Sequence, residues 1–281
     1  MIEPATTLAT LQREALHPLD RKAADNQLLR ELINEVIPEY AGVKDVERAV
    51  SQLRAADHDA ATHTAPWPAT ASEVTDTWLT GEVERRHTLE AHHERAKILA
   101  EVIIDSRQQA SMLIEEHAEQ LMSALDARLQ ALVAHAEPAV QALGGATTAA
   151  QAIKANAAEH WKTVAELRPQ YDEIRSVQRN LYQYVLQFDM LPFGDGIPSA
   201  HPEARIYYHR NLDDIAPQWR GWTSNGVQHL PEYPWPTDPV ERLVWFVRNN
   251  SGMWCPGRIQ MHNDVPRRYS LAERTAELAA G

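Results

Sequence analysis

Cysteine is almost missing from this sequence: Cys255 stands alone, so no disulfide can close within one chain, and stability has to come from packing or assembly. Long apolar runs are missing too. No 18 consecutive residues are apolar, and behind the start Met1-Ile2-Glu3-Pro4 there is neither a basic cluster nor an apolar stretch. Neither a membrane span nor a secretory leader is therefore expected. Basic charge is scarce: 27 Lys and Arg face 39 Asp and Glu, a formal net charge of −12. Such a field repels polyanions, so nucleic acid and anionic membranes are not expected as partners. Phosphate-cradling loops are absent as well. Gly194-x-Gly196 lacks a third glycine, and neither a Gly-Lys-Ser/Thr motif nor a zinc-spaced cysteine pair occurs. No cofactor is expected, and the compartment expected is the cytoplasm, or a virion if the chain is phage-encoded.

Proline, glycine and tryptophan are unevenly placed. After Met190 lie 10 of the 17 prolines, 7 of the 11 glycines and 5 of the 8 tryptophans, while the residues before it are rich in Ala, Leu, Glu, Gln and Arg. This shift divides the chain into short N-terminal helices over 1–57, a linker over 58–71, a long helical stretch over 72–190 and a Trp/Pro-rich module over 191–281.

The first helix is expected from Leu19 to Val36, stopped by Pro38, and a second from Val43 to about Ala56. With Ser72 as cap, the pattern then predicts one uninterrupted helix to Pro138. Its apolar line advances in steps of 4, 4 and 3 through Leu99, Ile103, Ala110, Ile114, Ala118, Leu121, Leu125, Leu129 and Leu132, and on to Leu143. Arg107 is the single polar member. Eleven residues over three turns, about 3.67 per turn, keep such a line on one face of a nearly straight helix. It reads as a hendecad seam for helix association. Gly144-Gly145 offers a turn, and Ala146 to Leu167 reads as a second long helix that Pro169 kinks or restarts. The fold class expected is mainly α: a long helical hairpin or coiled coil with a hendecad seam, plus a small C-terminal α+β module.

In that module Ala204–His209 reads as a short strand, and Asn225-Gly226 between half-apolar runs as a β-hairpin. Asp238-Pro239-x-Glu241 opens a helix, as does Ser270 with Glu273. Trp219, Trp222, Tyr233 and Trp235 are the aromatic group. Some must form the core of so small a module, and two or more exposed together would make a protein-binding patch.

Chemistry-bearing groupings are sparse. Glu84-x-x-His87 and Glu90-x-x-His93 carry metal-ligand spacing, but both lie on one helix without glutamates opposite, so a solvated charged face is the better account and no metal is expected. Cys255 with His229 and His262 could form a thiol nucleophile, although nothing local matches a thiol-enzyme pattern. Basic residues including Arg242, Arg258, Arg267 and Arg268 are interleaved with acids. The expectation is a non-enzymatic assembly protein: a self-associating coiled-coil rod with a protein-docking end. A phage or prophage virion or scaffold component is its concrete form. An enzyme built on Cys255 and an acidic regulator that sequesters a partner protein are the alternatives.

Overall fold

A computed structural model describes residues 17–60, 68, 70–186, 208–216, 219, 222–224, 227–229 and 233–263, with 56–60, 222–224 and 227–229 in backbone only. The described chain is mainly helical. Two compact units are present: the first comprises the described residues of Met1–Arg21 and Ile33–Ile114, the second those of Lys22–Leu32 and Glu115–Gly281. The boundary expected after residue 190 thus lies inside the second unit.

The expected N-terminal helix is two, α1 (Pro18–Asp25) and α2 (Gln27–Val36). Asn26 divides them: its Oδ1 accepts a hydrogen bond from Leu29 N at 2.8 Å, an N-cap that starts a new helix in mid-pattern. Pro38 opens α3 (Pro38–Ala60) instead of merely closing what precedes it, since a proline lacking N–H costs nothing in a helix's first turn. The helix also runs into His58–Ala60, where the linker was expected to begin. Residues 61–67 of that linker lie outside the described residues.

Thr75, not Ser72, starts the long helix α4 (Asp76–Glu116): its Oγ1 accepts from Trp78 N at 3.2 Å, after a 3-10 turn at Ala71–Glu73. Helix α5 (Ala118–Ala142) follows, with His117 interrupting the expected single helix. Pro138 does not end it. Pro138 is exposed, and so is Pro169 within α7 (Ala158–Tyr184). On an outward face the carbonyl deprived of its donor can turn to water, which makes an internal proline tolerable. Gly144, at φ 55°, makes the expected turn after α5. The second long helix begins later than expected. A short α6 (Ala149–Lys154), capped by Thr148, is followed by Asn156 at φ 56°, and only then by α7.

The apolar line is dry. Ile103, Ala110 and Ile114 are buried in the first unit, and Ala118, Leu121, Leu125, Leu129, Leu132, Ala136, Val140 and Leu143 in the second; Leu99 is only half-buried. In the second unit α5 packs on α7, whose Val164, Leu167, Tyr171, Ile174, Val177 and Leu181 supply the facing surface. The line is therefore covered within one chain. Arg107, its polar member, is half-buried and reaches Glu47 Oε1 on α3 at 3.1 Å. Glu47 in turn holds Lys44 at 2.9 Å, and Lys44 holds the covered Asp20 at 2.7 Å.

Beyond α7 the described elements are α8 (Leu212–Ile215), β1 (Trp222–Ser224), β2 (Val227–His229) and α9 (Pro239–Arg248). The strands pair antiparallel with Ser224 opposite Val227, the hairpin register that Asn225-Gly226 predicts. Asp238 Oδ1 accepts from Val240 N and Glu241 N, with Pro239 in the first turn, as the sequence predicts for α9. Of the expected strand at Ala204–His209, residues 204–207 lie outside the described residues, and His209 forms a single antiparallel bridge with Met253. The helix expected from Ser270 also lies outside them, as do Arg267, Arg268 and Gly194-x-Gly196.

Candidate functional site

The densest polar chemistry lies where residues 251–258 run over α5 and α7. This segment has almost no regular structure of its own, so its backbone groups need partners. Side chains of both helices provide them. From α5, Gln130 Nε2 donates to Met253 O at 2.9 Å, Asp126 Oδ1 accepts from Cys255 N at 2.7 Å and Glu119 Oε1 accepts from Arg258 N at 2.8 Å. The three are seven and four apart and so share one helix face. From α7, Arg175 Nη1 donates to Trp254 O at 2.9 Å, its Nη2 to Tyr208 O at 2.9 Å, and Tyr182 Oη to Pro256 O at 2.8 Å.

Arg175 is the centre of this arrangement. It is fully buried, and among the described residues it makes no ion pair. Two carbonyls, Gln178 Oε1 at 2.6 Å and the ring faces of Tyr171 and Tyr208, with centroids about 5 Å away, offset its charge. The carbonyls belong to two chain segments that the bridge at His209 and Met253 holds side by side: Trp254 N donates to Tyr208 O and Arg210 N to Gly252 O. Gly252 makes that approach possible, since at φ 67° a Cβ would press on Arg210 and Asn211.

Three of the four aromatic residues singled out by sequence are placed in this unit by their side chains. Trp219 is 1% exposed and donates from Nε1 to Asp213 Oδ1 at 2.8 Å; Trp235 is 4% exposed and stacks among Tyr233, Trp245 and Phe246. Trp219 and Trp235 thus lie inside the unit and not on its surface, in the same core as Tyr208, Phe246 and Trp254. Tyr233 is half-buried. Trp222 lies on β1, and its side chain is outside the described residues.

Cys255 is also enclosed. Burial pushes its thiol up to about 12, against the opposing pull of Arg175, whose Nη1 lies 3.9 Å from Sγ. Burial likewise pushes the Tyr182 phenol well above its usual range. A thiol held this way is neutral and out of reach, unlike a nucleophile, which needs thiolate and access. Native protein is therefore expected to leave Cys255 unmodified by a thiol reagent from neutral pH to about pH 9, with labelling appearing only on unfolding. Fast stoichiometric labelling of folded chain would restore a reactive cysteine. His262 is exposed, and His229 sits on β2. A buried pair with no local signal in the sequence is His209 Nδ1 and Ser251 Oγ at 3.0 Å, with the imidazole stacked on Phe246 at 4.0 Å. Both residues are wholly buried, and the stacking on Phe246 ties α9 to the bridge segment.

The metal-like spacing on α4 gathers nothing: His87, Glu84, Glu90 and His93 are exposed, and among the described residues no group of three or more metal-ligating side chains occurs. The one strongly shifted acid of α4 is Glu82. Hydrogen bonds from Arg85 and Arg86 cover its carboxylate and hold it down at about 2. What α4 does show is apolar surface. Leu79, Val83, Ile98, Ile104 and Met112 are all exposed on it. No helix of the described residues is long and apolar enough to cross a membrane. Comparison with family models, curated proteins and solved structures gives no match.

Proposed function

We propose that this chain is a non-enzymatic protein that works by binding other proteins, with the outward face of α4 as its contact surface. The exposure of Leu79, Val83, Ile98 and Met112 on one 41-residue helix carries this reading. Isolated exposed apolar side chains are ordinary; we take these four as one surface because they fall on one line of a single helix. The enclosed state of Cys255 and of the His209–Ser251 pair supports a non-catalytic role over a thiol enzyme.

Burial of Ile103, Ile114, Leu121, Leu125, Leu129 and Leu132 within one chain bears on how a rod would assemble. Self-association through that seam loses its driving force, because the side chains are already dry. A coiled-coil assembly component of a phage or prophage particle in a high-GC bacterial host, with arginine far outnumbering lysine, is the biological form we propose for the role. In that form the partner is another protein and the C-terminal segment is an internal clasp.

The test uses immobilised full-length chain in lysate of the native host. Proteins retained by the natural chain and lost from an Ile98→Gln/Met112→Gln variant are expected; identical retention by both overturns α4 as the contact surface.

A further inference from the structure

The outward face of α4 has a pattern that specifies the chemistry of what it binds, an inference that rests on the reading just given. Steps of 4, 4 and 3 taken from Leu79 to Met112 land on exposed positions only. Four of these are apolar, namely Leu79, Val83, Ile98 and Met112, at 54%, 47%, 50% and 61% exposure. Four more are acidic: Glu90, Glu94, Glu101 and Asp105. The remaining two are His87 and Gln109, and neither Lys nor Arg occurs on the line.

The rhythm is that of the buried seam, but the line runs along the opposite side of the helix. At about 100° per residue, Ile103, Ala110 and Ile114 lie roughly half a turn from it. This outward line is left uncovered in the described chain.

Its charge decides between occupants. A second copy is a poor fit. Laid parallel and in register, every carboxylate faces itself. Laid antiparallel with Ile98 on Ile98, Glu94 falls beside Glu101 and Glu90 beside Asp105. An anionic membrane is repelled for the same reason. We infer that the outward face of α4 receives a basic amphipathic helix of another protein, its apolar side chains meeting Leu79, Val83, Ile98 and Met112 and its Lys or Arg residues meeting the four carboxylates.

The experiment titrates full-length chain into a fluorescent synthetic helix of Leu, Lys and Ala, about 22 residues long, with Leu in the same 4-4-3 rhythm over two 11-residue repeats. Anisotropy is expected to report a Kd on the order of 10 μM at about 50 mM salt, weakening roughly tenfold or more at about 500 mM. A Glu94→Lys/Glu101→Lys chain is expected to bind about tenfold more weakly, and the uncharged Glu94→Gln/Glu101→Gln chain to lie between it and the natural one. Ile98→Gln/Met112→Gln should weaken binding about tenfold while leaving the salt dependence in place. All substituted positions are exposed, and circular dichroism checks that helix content is kept.

Equal binding by all variants would mean a cationic peptide adsorbing anywhere on an acidic protein, and would overturn the inference. So would no binding by the natural chain, or equal binding of the same peptide with Glu in place of Lys. Loss of peptide binding together with retained, Ile98-dependent capture from lysate would overturn the basic-helix assignment alone. If capture also proves independent of Ile98 and Met112, the contact surface itself is wrong.

Discussion

Replacing Arg175 with alanine is expected to destabilise the second unit by about 3 kcal/mol, the largest effect of any single polar substitution in it. The guanidinium donates to Trp254 O and Tyr208 O at 2.9 Å each, in surroundings without water access, and to Gln178 Oε1 at 2.6 Å. Its removal takes one of two donors from each buried carbonyl, since Tyr208 O keeps Trp254 N at 3.1 Å and Trp254 O keeps Gln178 Nε2 at 3.4 Å. The charged hydrogen bonds lost are worth roughly 1.5–3 kcal/mol each, and relief of the burial cost of the charge returns part of that sum. Arg175→Lys should recover less than half, because one ammonium cannot reach both carbonyls in the geometry of a planar fork. Urea denaturation followed by tryptophan fluorescence reads this directly, since Trp219, Trp235 and Trp254 are all buried in the same unit. A midpoint unchanged by Arg175→Ala would show that the remaining donors suffice and that the clasp does not depend on this side chain.

Leu125→Ala is expected to cost about 3 kcal/mol by the same measurement, through lost burial and an unfilled cavity between α5 and α7. Leu125 has no exposed surface and sits midway along the dry line. Met112→Ala, 61% exposed on α4, provides the contrast and should shift stability by less than about 0.5 kcal/mol. Comparable effects at the two positions would contradict the assignment of one as interior and the other as contact surface. Together the pair separates folding from the proposed contact: Leu125 is expected to matter to survival of the fold and Met112 to partner affinity.

Periodicity was the most informative property of the sequence. Steps of 4, 4 and 3 locate the buried line from Ile103 to Leu143 correctly, because burial on a straight helix follows geometry that one strand of text can hold. Helix breaks were less legible. Asn26 and Asn156 stop helices inside good helical composition through a capping side chain and a left-handed backbone, whereas Pro138 and Pro169, the loudest breakers in the text, are absorbed because they face outward. Composition revealed that the C-terminal segment is rich in aromatics, but it could not say which side of the surface they occupy. The contacts that decide this, such as Gln130 to Met253 O and Arg175 to Tyr208 O, join residues 123 and 33 apart and leave no local trace. The outward line of α4 follows the same rhythm as the buried one. Four of its ten members are carboxylates, and an apolar template does not count those.

Arg107 has one more consequence. A guanidinium set in an otherwise oily row works as an alignment pin: only one placement of α3 along α4 brings Glu47 within 3.1 Å of it. Sliding one helix past the other by a single turn would part Arg107 from Glu47 and strand a cation against aliphatic side chains. Leucines alone are forgiving of such slippage, since one oily contact resembles the next. The ion chain from Asp20 to Arg107 thus excludes mispaired alignments that greasy contacts would tolerate.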